Sequence, residues 1–338
     1  MQCEHWDRGA CRSCRYLDVP YGEQVAAKSE TAAEALALVP TAAGVHWLSP
    51  RRSAPTAFRT SAKLVVGGTR RRPTLGILGP DRRGVDLPGC PIQHPAINRA
   101  TPALKRFIRS LDLIPYDVPT KNGELKYILL TVGADEIILS KRRMLPIRAG
   151  DLDLALGPGS FIQTNAAVAG DLYRQAADWA ALPLASGDAP QTLWDLYCGI
   201  GGFALHAANA GIPRVTGVEV SERAIASAIR SASQAGLSRT AARFIAADAT
   251  AWAAQQDPAT APDVLIVNPP RRGIGDALAQ WVNEHAGERV IYSSCNPTSL
   301  ARDLEAMPAY RCVEARLFDM FPHTDHVEVA VLLRRTPS

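Results

Sequence analysis

A thiol, a carboxylate and a glycine-rich turn stand where each could take part in group-transfer chemistry. Cys295 follows the apolar run Arg289 to Ser293 (RVIYS) and precedes Asn296-Pro297 and a helix running through Leu304. A thiol at a strand end beside a helix N-terminus is expected to have a lowered pKa, the environment of a nucleophile. The competing reading is that of buried cysteines in general, which are inert small hydrophobes. Glu328 interrupts the apolar stretch HTDHVEVAVLL, where a carboxylate is costly unless it lies at an edge or has a function. Gly199, Gly201 and Gly202 form a turn whose backbone can approach a ligand closely, and Glu219, twenty residues after Gly199, can accept both hydroxyls of a ribose. The form D-x-x-C-G-x-G-G lacks the third glycine of a dinucleotide fingerprint, which favours a nucleoside cofactor without phosphates.

Four further cysteines have a different spacing. Cys3, Cys11 and Cys14 form C-x7-C-x2-C, and Cys90 sits in a turn-like Pro-Gly-Cys-Pro setting where a fourth thiolate could close the site. Four sulfur ligands suit structural zinc or an iron–sulfur cluster, and spacing does not choose between them. Cys198 reads as a loop residue and Cys312 as a core residue. His323 and His326 have no third ligand nearby and read as turn-packing residues.

These groups need elements to hold them, and from about residue 160 the pattern supplies them. Apolar strands alternate with amphipathic helices, as in a doubly wound parallel sheet. The strands are Thr192 to Leu196, Arg214 to Val220, Phe244 to Ala247 ending at Asp248, Asp263 to Val267 ending at Asn268-Pro269-Pro270, and Arg289 to Ser293. Ligands in such sheets bind beyond the carboxyl ends of the strands, where every unusual motif here falls. Cys312 to Phe318 and Val327 to Leu333 read as a closing antiparallel hairpin. The first half is a smaller mixed α+β domain with short alternating runs such as Lys63 to Val66 and a helix-like stretch from Pro102 to Leu111.

The net charge of +4 conceals an asymmetry: residues 1–150 hold 23 Lys and Arg against 13 Asp and Glu, and the remainder 14 against 20. Between Arg51 and Arg83 nine basic residues face one acid, Asp81, the electrostatic footprint of a polyanion partner. The bland alternative is a solvated surface in an arginine-rich chain. No run approaches the roughly 18 apolar residues of a membrane helix. The start, MQCEHWDRGACRSC, has no secretory pattern, so a cytoplasmic location is expected.

Taken together, SFIQTN (Ser160 to Asn165), WDLYCGIGGFALH, VTGVEV, VNPPRRGIG, YSSCN and LFDMFPHTDHVEV, with FRTSAK (Phe58 to Lys63) and GELKYILL (Gly123 to Leu130), resemble the RNA uracil-5 methyltransferases. The resemblance covers most of the chain. It implies an α/β architecture in which a Rossmann-like S-adenosylmethionine methyltransferase domain, residues 156–338, follows an iron–sulfur and RNA-facing domain, residues 1–155. It also implies Cys295 as nucleophile and Glu328 as base, with Gln163, Tyr197, Gly199, Glu219, Asp248 and Asn268 around S-adenosyl-L-methionine. By the same likeness Cys3, Cys11, Cys14 and Cys90 match ligands of a [4Fe-4S] cluster. The cysteine set stands at the beginning of the chain, leaving no room for the OB-like TRAM module of many relatives. That points to the branch acting on uracil 747 of 23S ribosomal RNA. Arg59, Lys63 and Lys126 are candidates for holding RNA phosphates.

The reaction requires these residue types. C5 of uracil is a poor nucleophile until a thiolate adds to C6, and a base must then remove the C5 proton so that the thiolate can leave. Amino-group methyltransferases and dehydrogenases have no need of the YSSCN cysteine or the carboxylate. The chain departs from the family between GELKYILL and SFIQTN. There it has only Thr131 to Gly159, including the basic run Lys141-Arg142-Arg143, in place of a longer segment with several strands. The alternatives are an impaired homologue that binds RNA and cofactor without turnover, and an enzyme acting on another ribosomal or transfer RNA uridine.

Overall fold

A strand that is apolar at every position must be covered on both faces. The computed structural model, which describes residues 1–133, 144–157 and 159–336, covers such strands with two layers of helices. The basic run Lys141-Arg142-Arg143 lies outside the described residues.

The chain enters through one helical turn, α1 (Glu4–Asp7), a long helix α2 (Tyr21–Ala37) and strand β1 (His46–Arg51). A small antiparallel sheet follows: β2 (Ser61–Gly68), β3 (Pro73–Leu78), β4 (Gly84–Asp86) and, after helix α3 (Pro95–Ser110), β5 (Tyr127–Thr131), in the order β4-β3-β2-β5. A hairpin of β6 (Leu145–Ala149) and β7 (Leu152–Leu156) leads to α4 (Ala166–Ala181). Strands and helices then alternate through β8 (Thr192–Leu196), α5 (Gly202–Asn209), β9 (Arg214–Glu219), α6 (Glu222–Gln234), β10 (Ala242–Ala246), α7 (Ala249–Ala254), β11 (Val264–Val267) and α8 (Asp276–His285). The chain closes with β12 (Arg289–Ser294), α9 (Pro297–Glu305), β13 (Tyr310–Phe318) and β14 (Glu328–Arg335).

The large sheet has eight strands in the order β1-β13-β14-β12-β11-β8-β9-β10, with β14 antiparallel to both its neighbours. Its period of two divides the core. Leu265, Val267, Val290, Tyr292, Val329 and Val331 face the layer containing α2, α8 and α9. Val264, Ile266, Ile291, Ala330 and Leu332 face α4, α5 and α6. The expected strands and closing hairpin are present, with ends shifted by a residue or two. Helix α3 begins seven residues earlier than its apolar pattern suggested. Pro102 removes one backbone donor, and the Thr101 hydroxyl supplies a bond to the Asn98 carbonyl at 2.8 Å, so the helix continues through it.

The boundary expected at residues 155/156 is not the one the sheet follows. β1 pairs in parallel with β13 and covers what would otherwise be an open edge, while Val25, Ala32 and Leu36 of α2 share the core of α9. The small sheet has its own core with α3, formed by Ala62, Leu64, Val66, Leu75, Ile97 and Ile108.

A buried polar knot fastens α2 to the turn between β13 and β14. Lys28 Nζ lies 2.6 Å from Asp319 Oδ1 and donates to the Phe321 carbonyl, and the Tyr21 hydroxyl donates to Asp319 Oδ2 at 2.7 Å. Lys28 is 5% exposed and Asp319 0%, so removing one partner strands a charge. We expect Lys28→Met to cost about 3–5 kcal/mol in urea unfolding, and Lys28→Met with Asp319→Leu to recover most of it. A loss below about 1 kcal/mol for the single variant would show that the pair contributes little.

Candidate active site

Because β8 to β12 are parallel, their carboxyl ends lie along one edge, and the residues singled out by the sequence gather there. Tyr197, Gly199 and Gly201 follow β8, Glu219 ends β9, Asp248 follows β10, Asn268 follows β11 and Cys295 follows β12. β14 runs the other way, so it brings its first residue to this edge. Val329 pairs with Ser294, which puts Glu328 next to the Cys295 turn.

The turn after β8 is built by backbone conformation. Tyr197, Gly199 and Gly201 all have positive φ (66°, 53° and 86°), a region uncommon for a tyrosine. Such strain persists only where the surroundings enforce it. Gly202 packs against Tyr173, whose ring a Cβ would meet at 2.5 Å. Asp195, fully buried in β8, accepts from the Ala204 amide at 3.0 Å, while its other carboxylate oxygen has no partner. Burial first and the charge of Glu219 second push its pKa up to about 8. Asp195 opens the D-x-x-C-G-x-G-G stretch without a role being expected of it, although a carboxylate in the apolar run TLWDL is the signal. Glu219 accepts from the Ser221 amide, and Asp248, exposed, caps α7 by accepting from Ala251. Gln163 is half-buried, and its segment is joined to FRTSAK because the Thr60 amide and hydroxyl both donate to the Thr164 carbonyl.

Around Cys295 the outcome differs from the expectation of a lowered pKa. Burial, and then the charge of Glu328, raise the thiol above its ordinary value. The groups that oppose them are the positive charge of Arg271 and the cysteine's own backbone. The N-terminus of α9 is occupied by Asn296, whose side chain accepts from Thr298. Glu328, 2% exposed, accepts a short hydrogen bond from Ser293 Oγ, and burial pushes its pKa up to about 7. Activity that needs both groups ionised should rise from pH 6 to 9, first as Glu328 loses its proton and then as the thiol does. A single-turnover pH profile checks this, and a rate flat across that range would contradict it.

The NPPRRG turn is locked onto the Cys295 turn. Asn296 Nδ2 donates to the Arg271 carbonyl, Arg302 to the Arg272 carbonyl, and the Ile274 amide to Asp303 Oδ2 at 2.7 Å. Tyr292 also donates to Asp303, which is 1% exposed. Arg271 and Ser293 stand within VNPPRRGIG and YSSCN without a role of their own being expected there, and nothing in the local pattern marks Asp303. His323 is a packing residue as expected, held by Gln24 and the Pro55 carbonyl. His326 instead meets Arg271. Cys312 is buried in one core, as expected, and Cys198, in the loop after β8 as expected, is also buried, in the other core.

Away from this edge, Cys3, Cys11, Cys14 and Cys90 line one cavity together with His5, Trp6 and Arg59. A bond between His5 Nε2 and the Pro88 carbonyl ties the first segment to the Cys90 turn. Burial, followed by the neighbouring Cys90, Cys11 and Cys3, pushes the Cys14 thiol up to about 12. Among the described residues no three His, Cys, Asp or Glu side chains are drawn into a group that could hold a metal ion, so the thiols share a cavity without forming a ligand sphere. Two of the three proposed phosphate holders, Lys63 and Lys126, lie over Tyr127, at 3.9 and 5.4 Å from its ring centroid, on the outer face of the small sheet. Among the described residues no helix is long and apolar enough to cross a membrane.

The sequence profile of the tRNA (uracil-5-)-methyltransferase family matches residues 136–336. The chain is 40% identical to the 23S rRNA (uracil(747)-C(5))-methyltransferase RlmC of Halothiobacillus neapolitanus, covering 99% of this chain and 100% of that one. It is 38% identical to the protein of the same name from Pectobacterium atrosepticum, covering 99% and 100%. The first alignment spans 387 positions against 338 residues here, so about fifty positions of that relative face gaps. In fold, the chain is similar to the Pyrococcus abyssi tRNA (uracil-54, C5)-methyltransferase solved with S-adenosyl-L-homocysteine. The TM-score is 0.78 at 23% identity, covering 95% of this chain and 85% of that one.

Proposed function

Since the chain belongs to the tRNA (uracil-5-)-methyltransferase family, we propose that it methylates C5 of a uridine in 23S ribosomal RNA, uracil 747, using S-adenosyl-L-methionine. The observation that carries this reading is full-length identity of about 40% to enzymes of that name, joined to a cysteine and a buried carboxylate at one sheet edge. Gln163, Tyr197, Gly199, Glu219, Asp248 and Asn268 would hold the cofactor, which would supply an electrophilic methyl group. The strained Tyr197 turn would let backbone approach it, and Glu219 would accept its ribose hydroxyls.

Cys295 adds to C6 of the uracil, so that C5 acquires the electron pair that takes the methyl group. Glu328, with a pKa near neutrality, then receives the C5 proton, and the electrons of the C–H bond restore the double bond as the sulfur leaves. The base must leave its stack to be reached, which favours a loop uridine. Arg59, Lys63 and Lys126 would hold phosphates, with Tyr127 as a stacking platform between the lysines.

Cys3, Cys11, Cys14 and Cys90 would hold a [4Fe-4S] cluster. The donor chemistry fits, and Trp6 Nε1, a cavity-lining donor buried without a partner, is available to a cluster sulfide. Iron and sulfide analysis of anaerobically prepared protein distinguishes a cluster from zinc.

The test of function is labelled methyl transfer to unmodified 23S ribosomal RNA, mapped by nuclease digestion and mass spectrometry. One 5-methyluridine at position 747 is expected. Cofactor binding without product would favour an impaired homologue, and product at another site a different specificity.

A further inference from the structure

We propose that Arg271 is a catalytic residue that stabilises the Cys295 thiolate, and that His326 is the positioning residue that aims it. The inference rests on the reading of Cys295 as nucleophile. It begins from a mismatch: the thiol is half-buried and faces a buried carboxylate, Glu328, so two influences oppose loss of its proton. A nucleophile so placed needs a compensating positive charge, and Arg271 is placed to supply it: its carbonyl is bonded to Asn296, the residue after the cysteine, and its guanidinium to His326, two residues before Glu328, whose strand pairs with the one that ends at the cysteine.

The position of Arg271 is fixed at both ends. Its backbone carbonyl is held by Asn296 Nδ2 at 3.0 Å, one residue beyond the cysteine, and its Nη2 lies 2.7 Å from His326 Nδ1. A guanidinium has donors only, so Nδ1 must present a lone pair. The proton of neutral His326 therefore sits on Nε2. His326 itself is set by an edge-to-face contact with Phe321, ring centroids 5.7 Å apart, and by its backbone N–H, which donates to Thr324 Oγ1. Burial and Arg271 hold His326 below the ordinary histidine range, so it stays an acceptor at neutral pH. The other charged groups facing it are Asp325, Lys28 and Arg15. In this arrangement the thiol proton passes to solvent, the sulfur lone pair forms the bond to C6, and the guanidinium stays beside the sulfur throughout.

The test is the pH dependence of Cys295 alkylation by iodoacetamide, read at the peptide level so that the other six cysteines do not interfere. The midpoint in pH reports thiolate formation irrespective of any change in access. We expect Arg271→Met to raise it by about one unit, equivalent to about tenfold less thiolate at a fixed pH below it. Arg271→Lys, which retains a charge, should fall between this variant and the wild type. His326→Ala should raise the midpoint by less than Arg271→Met, and His326→Gln, whose amide oxygen accepts the same N–H, should restore it. Unchanged midpoints in both Arg271 variants overturn the proposal. Methyl transfer is measured on the same wild-type preparation, which separates the two readings. Transfer with an unmoved midpoint removes Arg271 alone, whereas a moved midpoint without transfer retains its effect on the thiol and removes the function.

Discussion

Cys295→Ala is expected to lower methyl transfer by at least about 10⁴-fold while leaving S-adenosylmethionine affinity within a factor of about two. The loss is large because no other group can make C5 nucleophilic. Among the described residues the other thiols are buried, as Cys198 and Cys312 are, or line the separate cysteine cavity. The affinity is spared because the proposed cofactor contacts come from Gln163 and from the ends of β8 to β11, and Cys295 follows β12. Calorimetric binding and a filter assay read the two quantities, and transfer retained above about 1% would remove the cysteine from the mechanism.

Glu328→Gln should permit attack and methylation but slow release by about 10²–10⁴-fold, so that a protein–RNA adduct accumulates on a denaturing gel. Glutamine keeps the shape of the side chain and the acceptor for Ser293 Oγ, but cannot take the C5 proton. It also removes a carboxylate whose burial already pushes its pKa to about 7, so the variant should unfold at the same temperature or higher. An adduct no more abundant than in the wild type, with turnover unchanged, would assign the proton to another group.

The parts of the site that a pattern can encode were legible in the sequence. Strand runs such as VLIV and RVIYS, capped by proline or cysteine motifs, locate the carboxyl ends, and the closing hairpin is marked by its two apolar runs, but the pairing of β14 with β12 that brings Glu328 beside Cys295 is not. Contacts that depend on a third element were not legible. The Arg271–His326 pair joins residues 55 positions apart, and the Lys28–Asp319 pair joins residues 291 apart. β1 carries no sign in HWLSPR that it will complete the edge of a sheet whose other strands begin beyond residue 190. The thiol environment was misjudged for a related reason: a helix N-terminus can be read from Asn-Pro, but burial and a facing carboxylate cannot.

The central claim is that Cys295 bonds to the uracil and that a proton must leave C5 before it can let go. The most direct measurement uses wild-type protein, S-adenosylmethionine and ribosomal RNA containing 5-fluorouridine, whose C5 has no proton to lose. Mass spectrometry of the digested product should find one nucleotide, already methylated, attached to the peptide containing Cys295. Free RNA with no adduct, or attachment at another residue, would contradict the account.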